Sequence, residues 1–309
     1  MGRALHFAAQ MMWFGLAIAV PLNGNDRYES DLPRSGLISN RMCEKFPVFS
    51  GANNHIYNGV LAELEDFPYL GALAYGAKKK FECGASLISR EYVLTAAHCV
   101  NSKKPSFVRL GVVRILNHIG SPDEPVDVGI EKVIKHPNYK HNILLNDIAL
   151  LKLNRTVNER FLIPVCLYTN LSDPEPHVNL SIAGWGANIL SNTGMSADLR
   201  KAHVTTLERG ECNTILLREN PHQNQRLRDD QLCALGKNSN GKVTGNTCVG
   251  DSGGPLELAI GRRRYIVGLT SSGKICGTDF PGIYTRVSHF IDWIELVVWP
   301  AQMRMDWVH

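Results

Sequence analysis

The sequence has no C-x-x-C pair, no internal repeat, no low-complexity tract and, beyond its first twenty residues, no apolar run near the ~18 that cross a membrane. The first absence removes the usual spacing of a zinc site. The last leaves no later membrane span. Charge is nearly balanced, 33 Lys and Arg against 29 Asp and Glu, and the net +4 is spread along the chain apart from Lys78–Lys80 and Arg262–Arg264. Each of those runs lies between apolar, strand-like segments and reads as a charged hairpin turn rather than a nucleic-acid contact.

Charge is also scarce at the start. After Arg3 no charged residue occurs from Ala4 to Asn25, a span that holds the apolar run "MMWFGLAIAV" and the small-residue pattern Ala17-Ile18-Ala19. That layout predicts a secretory signal peptide over residues 1–20, with an uncleaved anchor as the alternative reading of the same run. With 309 residues, 44% of them apolar, the chain can bury at least one full core.

Eight cysteines are present: Cys43, Cys83, Cys99, Cys166, Cys212, Cys233, Cys248 and Cys276. An even number behind a signal peptide predicts disulfides, although spacing alone leaves about 105 pairings open. The sequons at Asn154, Asn170 and Asn179 are compatible with glycosylation in a secreted protein.

Residues 21–55 show no sustained period and read as an extended linker or pro-segment. From Tyr69 onward, short β-branched and apolar runs such as "ASLISREYVLTAAHC", "DIALLKLN" and "RRRYIVGLTSSG" alternate with turn residues. No helices alternate with them, which predicts an all-β fold, an antiparallel sandwich or barrel. Two segments depart from that texture. Glu211–Asn220 predicts a short helix, and "SHFIDWIELVVW" predicts a C-terminal one capped by Ser288, with Phe290, Trp293, Ile294 and Val297 on one apolar face. Residues 300–309 have no assigned role.

Three passages concentrate reactive side chains. "LTAAHC" places His98 beside a cysteine at the end of an apolar strand, "NDIALLKL" places Asp147 at the mouth of another, and "GDSGGP" sets Ser252 on a glycine-rich turn. Taken singly, these are a core histidine, a strand-end carboxylate and a loop hydroxyl. Taken together they supply a base, a carboxylate to orient it and a hydroxyl that is a poor nucleophile until a base takes its proton.

With "CGASLI", "PVCL", "AGWG", "CVGDSGGPL" and "PGIYTRV" in the same order, the span from Ile56 to about Trp299 resembles the chymotrypsin-like, trypsin-fold serine endopeptidases. The resemblance implies two six-stranded antiparallel Greek-key barrels with a C-terminal helix, and a protease domain over 56–299. It implies Ser252 as nucleophile, His98 as general base and then acid, Asp147 as the group fixing the histidine, and the N–H groups of Gly250 and Ser252 as an oxyanion hole. It implies the pairs Cys83–Cys99, Cys248–Cys276, Cys212–Cys233 and Cys43–Cys166, the last tethering the pro-segment. No cofactor is implied. Around "RLGVVRILN" the carboxylate expected early in the family's calcium loop is missing, so neither calcium nor another metal is expected.

Members of this family are usually zymogens. The matching cleavage here falls between His55 and Ile56, and frees an ammonium to pair with Asp251, whose burial would otherwise be costly. His55 stands where the family commonly has arginine, so the activator is not expected to be trypsin-like. The pocket differs as well. Asn246 replaces the aspartate that selects Arg or Lys, Gly273 and Gly282 keep the pocket open, Ser271 beside it supports Asp147, and Ser272 replaces a wall aromatic. A buried cation without its counter-charge typically costs several kcal/mol, so uncharged bulky side chains are expected instead. His is one such choice, and would allow self-activation at His55.

The linker "RMCEKF" and the entry "LEDFPYLGAL" are similar to arthropod haemolymph proteases of the clip-domain group, although the six further cysteines of a clip domain are missing before Cys43. That resemblance implies a secreted, monomeric enzyme in an extracellular cascade. Its partners would be a protein substrate, an upstream activating protease and a serpin-type inhibitor, with no nucleic acid or membrane. A digestive protease and a catalytically silent binding homologue are the rival readings.

Overall fold

The apolar runs pair as strands because each is short and dense in β-branched residues that pack well on a pleated surface. A computed structural model describes residues 35–49, 60–115, 124–187, 195–219, 226–238, 240–273 and 280–301. Within them the first-half strands are β1 (Val60–Leu61), β2 (Leu70–Tyr75), β3 (Lys80–Ser89), β4 (Tyr92–Thr95), β5 (Pro105–Leu110), β6 (Val126–Lys135) and β7 (Ala149–Leu153). The second half holds β8 (Cys166–Leu167), β9 (Leu180–Gly184), β10 (Arg200–Thr206), β11 (Gln231–Lys237), β12 (Val243–Gly245), β13 (Pro255–Ile260), β14 (Arg263–Ser272) and β15 (Gly282–Arg286). The helices are α1 (Leu37–Lys45), α2 (Arg209–Glu219) and α3 (Ile291–Val298).

Strands β2-β3-β4-β7-β6-β5 close into an antiparallel barrel. A second barrel runs β10-β9-β13-β14-β15-β11 and closes where Thr205 and Thr206 of β10 pair with Leu235 and Ala234 of β11. The two six-stranded barrels are those implied by the resemblance. Closure removes the exposed edges that would otherwise invite association. Leu73, Leu87, Leu94, Val108 and Leu150 fill the first interior, and Leu180, Val204, Leu232, Leu256 and Tyr284 fill the second. Both basic runs reach a hairpin, but only Lys78 and Lys79 and Arg262 lie in the turns: Lys80 opens β3, and Arg263 and the buried Arg264 open β14.

Two readings of local structure need correction. Residues 37–45 are not extended linker: they form α1, whose buried face is only Ile38, Ser39 and Cys43. So thin an apolar stripe carries little periodic signal. The helix is held by tertiary contacts instead: the Cys43–Cys166 disulfide, Ser39 N–H donating to Glu295 Oε1 at 2.6 Å, and the Arg263 guanidinium donating to the carbonyls of Cys43 and Glu44. The second correction concerns Ser288, which does not cap α3. It lies inside a 3-10 turn over Val287–Phe290, and α3 begins at Ile291 with Ile291, Ile294, Glu295 and Val298 on its buried side.

Candidate active site

His98 sits in a one-turn 3-10 helix, Ala97–Val100, directly after β4. The neighbouring Cys99 is bonded to Cys83 on β3, and Tyr75 Oη donates to the Cys99 carbonyl at 2.9 Å. The turn carrying the imidazole is thus tied to both β2 and β3. Asp147 precedes β7 and is fully buried.

Such a carboxylate must be satisfied by donors. His98 donates twice, from its backbone N–H to Oδ1 at 2.8 Å and from Nδ1 to Oδ2 at 2.7 Å, and Ser271 Oγ donates to Oδ2 at 2.5 Å. Thr285 Oγ1 also holds the Asp147 carbonyl at 2.8 Å, so β14 and β15 of the second barrel clamp a residue of the first. Sequence reasoning had no view of Thr285, since a threonine in a strand carries no signal of its own. A carboxylate held in this way keeps the proton on Nδ1 and leaves Nε2 as the basic atom.

Ser252 is placed by its backbone. Its carbonyl accepts from Gly84 N–H of β3 at 2.8 Å, and Gly253 N–H donates to the Thr270 carbonyl of β14 at 2.7 Å. The serine turn is therefore pinned between the two barrels. No hydrogen bond joins Ser252 Oγ to His98 among the described residues, and His98 Nε2 lies 3.8 Å from Cys99 Sγ. Such bonds are often long or unmade until substrate is bound. Gly250 has φ +101°, a conformation that a side chain would strain, and Val249 beside it is 77% exposed.

The "AGWG" and "GDSGG" motifs meet at Asp251. Its carboxylate accepts from Gly186 N–H and Cys248 N–H, each at 2.8 Å, and a side chain on Gly184 or Gly186 would collide with it. Burial pushes Asp251 up to about 6, against the lowering effect of those two N–H groups. Its expected partner, Ile56, lies outside the described residues together with His55.

Asn246 spends both ends of its amide on the backbone. Nδ2 donates to the Phe280 carbonyl at 2.6 Å and Oδ1 accepts from Thr247 N–H at 2.9 Å. Gly273 is exposed, with open space where a side chain would stand. Gly282 is glycine for a packing reason too, because the Tyr284 ring fills the room a side chain would need. Ser271 is buried against Asp147, and the adjoining Ser272 is partly exposed. Phe280 and Tyr284 are site neighbours that the sequence reading overlooked. Both flank Gly282 in "FPGIY", which was the available cue.

Two further disulfides are present, Cys43–Cys166 and Cys212–Cys233. Cys248 is also disulfide-bonded, and its expected partner Cys276 lies outside the described residues. Cys83, His98 and Cys99 cluster closely enough to suggest a metal site, but the two sulfurs are bonded to each other and leave the imidazole as the one available donor. Asn154, Asn170 and Asn179 are all exposed. Among the described residues no helix is long and apolar enough to cross a membrane.

Paired barrels that meet at a buried Asp–His pair, with a serine turn pinned between them, define the scaffold of a serine protease. The family described as Trypsin matches residues 56–294, and the chain belongs to the trypsin family of serine proteases. It is 40% identical over 288 residues to serine protease Hayan of Drosophila melanogaster, covering 88% of this chain and 43% of that protein. Over 261 residues it is 38% identical to phenoloxidase-activating factor 3 of Holotrichia diomphalia, 78% of this chain and 71% of that one. CLIP domain-containing serine protease B9 of Anopheles gambiae is 34% identical over 84% of this chain and 67% of its own length. The chain thus spans less than half of the first of these relatives and two thirds or more of the other two.

Proposed function

We propose that the chain is a secreted serine endopeptidase whose nucleophile is Ser252, with His98 as base and then acid and Asp147 holding the imidazole. His98 Nε2 takes the Ser252 proton as Oγ attacks the scissile carbonyl. The N–H groups of Gly250 and Ser252 meet the charge that develops on the carbonyl oxygen, and the imidazolium then protonates the leaving amine. The observation that carries this reading is the double contact of His98 with Asp147, at 2.8 Å and 2.7 Å, with Ser271 as third donor.

Under the same proposal residues 1–20 are removed on export and residues 21–55 are a pro-segment tethered by Cys43. Cleavage between His55 and Ile56 then supplies the ammonium that pairs with Asp251. Two supports are the closeness of Gly184 and Gly186 to the Asp251 carboxylate and the rise of that group to about 6, with no cationic partner among the described residues. Relatives named phenoloxidase-activating factors support a role in activating another protein in an extracellular cascade, with an upstream protease and a serpin-type inhibitor as partners.

The neutral amide of Asn246 gives the pocket no counter-charge, which favours uncharged bulky side chains. Hydrolysis of a positional peptide library by the chain cut at Ile56 tests this: a leading preference for Arg or Lys would overturn it. Asn246→Asp is expected to raise kcat/KM on Arg and Lys peptides at least about ten-fold relative to uncharged ones. The same exchange should lower Tm, because a carboxylate cannot donate to the Phe280 carbonyl that Asn246 Nδ2 now satisfies.

A further inference from the structure

The lysine run Lys78–Lys80 has no part in the chemistry above. It stands at the tip of the β2–β3 hairpin, where Lys79 N–H donates to the Gly76 carbonyl at 3.1 Å. Gly76 has φ +63° and Lys79 has φ +48°. Left-handed backbone favours glycine, so a lysine there costs stability for the position it gives its side chain. That side chain is held with Nζ 5.5 Å from the centre of the Phe107 ring.

A second pair of lysines joins the first. Pro105 pairs with Tyr75 at the end of β2, which sets Lys103 and Lys104 beside the hairpin, with Lys103 Nζ 4.8 Å over the Tyr75 ring. All five lysines are exposed. One acid, Glu82, bonds Lys103, whereas Lys78, Lys79, Lys80 and Lys104 have no acidic partner among the described residues. The edge therefore carries a local surplus of positive charge in a protein whose net charge is only +4.

Its place in the fold gives that charge a use. Strand β3 runs from Lys80 to Gly84, which donates to the Ser252 carbonyl, so the lysine edge lies about 13 Å from the serine turn at ~3.3 Å per residue. On its other flank the serine turn is bonded to Thr270 of β14, the strand that continues through Ser271 and Ser272 to Gly273. The serine turn is thus bonded to the lysine-bearing strand through the Ser252 carbonyl and to the strand leading to the pocket positions through Gly253 N–H.

We propose that this edge receives Asp or Glu side chains of the protein substrate, about four extended residues beyond the scissile bond on the leaving-group side. The proposal rests on the protease reading. Clustered charge beside a site raises encounter rates with a complementary segment and selects against like-charged ones. A single-stranded nucleic acid would need free aromatic faces for stacking. Here Tyr75 carries Lys103, Phe107 carries Lys79 and Arg109, and Phe81 carries Arg109.

The test begins with binding to the inactive Ser252→Ala chain. The probes are a labelled peptide of eight mixed Asp and Glu residues, its Gln counterpart and a single-stranded oligonucleotide. At about 0.05 M salt the acidic peptide is expected to bind at least about ten-fold tighter than the neutral one. The advantage should vanish near 0.5 M salt and in the triple variant Lys78→Gln, Lys80→Gln, Lys104→Gln. Equal binding of the two peptides, an undiminished advantage in the triple variant, or tighter binding of the oligonucleotide would overturn the proposal.

With the active, cut chain, a substrate carrying four Glu residues downstream of the scissile bond is expected to be cleaved about ten-fold faster in kcat/KM than its Gln counterpart. The triple variant should bring the ratio near one and leave hydrolysis of a small ester unchanged. A ratio of one in the unaltered chain removes the placement on the substrate. Loss of ester hydrolysis in the unaltered chain would instead remove the protease reading, and the binding result would stand apart from it.

Discussion

Asp147→Asn is expected to lower kcat by about 10⁴-fold, the cost of the same exchange in a family member, while KM changes only a few-fold. The reason lies in the donors around the carboxylate. Oδ1 accepts from His98 N–H and Oδ2 accepts from both His98 Nδ1 and Ser271 Oγ. An amide has one oxygen and one NH₂ group. With its oxygen kept on the His98 backbone, it presents N–H to Nδ1, which must then become an acceptor. The proton moves to Nε2, and the imidazole can no longer take one from Ser252. Size and burial hardly change, so the folded state should persist, as a retained near-UV circular dichroism spectrum would show. Steady-state kinetics on a peptide ester provide the check: a kcat within ten-fold of the unaltered chain would contradict the assignment of Asp147.

Cleavage between His55 and Ile56 is expected to raise activity about 10²-fold or more, the order of effect of gaining an oxyanion donor. Asp251 immediately precedes Ser252, and Gly250 immediately precedes Asp251, so the aspartate governs the loop that carries both proposed oxyanion donors. In the intact chain burial holds Asp251 at about 6, above its ordinary value near 3.8. A carboxyl group raised on folding contributes stability that is full below its unfolded pKa and is lost as pH rises through its folded one. The intact chain therefore loses this contribution between about pH 4 and 6. The cut chain regains it, because an ammonium at Ile56 favours the ionised form. Thermal unfolding of both forms across that range should show the cut chain gaining Tm relative to the intact one as pH rises. Asp251→Asn should abolish the difference. Equal activity of the two forms would contradict the switch.

The positions proposed to carry the chemistry stand in motifs that fix their neighbours. "LTAAHC" carries its own disulfide anchor at Cys99, and "NDIALLKL" reads at once as a buried strand behind Asp147. Long-range polar contacts were not legible in the same way. Nothing local in "PLELAI" marks Glu257 for burial, and it is 3% exposed. Tyr69 Oη donates to it, Arg264 stands 3.6 Å away, and burial pushes it up to about 7. The partners come from β14 and from the approach to β2, separations that no local pattern encodes. Phe49 lies over the same group, against the Tyr69 ring and the Arg264 guanidinium, and its N–H donates to the Arg262 carbonyl. Residues before the expected cleavage point are therefore part of the second barrel's packing, which a composition rich in Asn, Ser and Arg concealed.

The helices divide along the same line. α2 was foreseen within two residues at its start, and its Cys212 is bonded to Cys233 on β11. α3 was foreseen in place but not in phase. The 3-10 turn over Val287–Phe290 moves its start, so Ile291, Ile294 and Val298 face the core, while Trp293 and Val297 pack at the margin. α1 was missed because a buried face of Ile38, Ser39 and Cys43 depends on Glu295 and Cys166, more than a hundred residues away.

Covalent labelling by a fluorophosphonate probe addresses the central claim most directly, because the reagent reacts with a serine only when a base activates it. The chain cut at Ile56 is expected to label with one equivalent, at Ser252, and far faster than the intact chain. Ser252→Ala and His98→Ala should each abolish the signal. No labelling of the cut, folded chain, or labelling that persists in Ser252→Ala, would contradict the account.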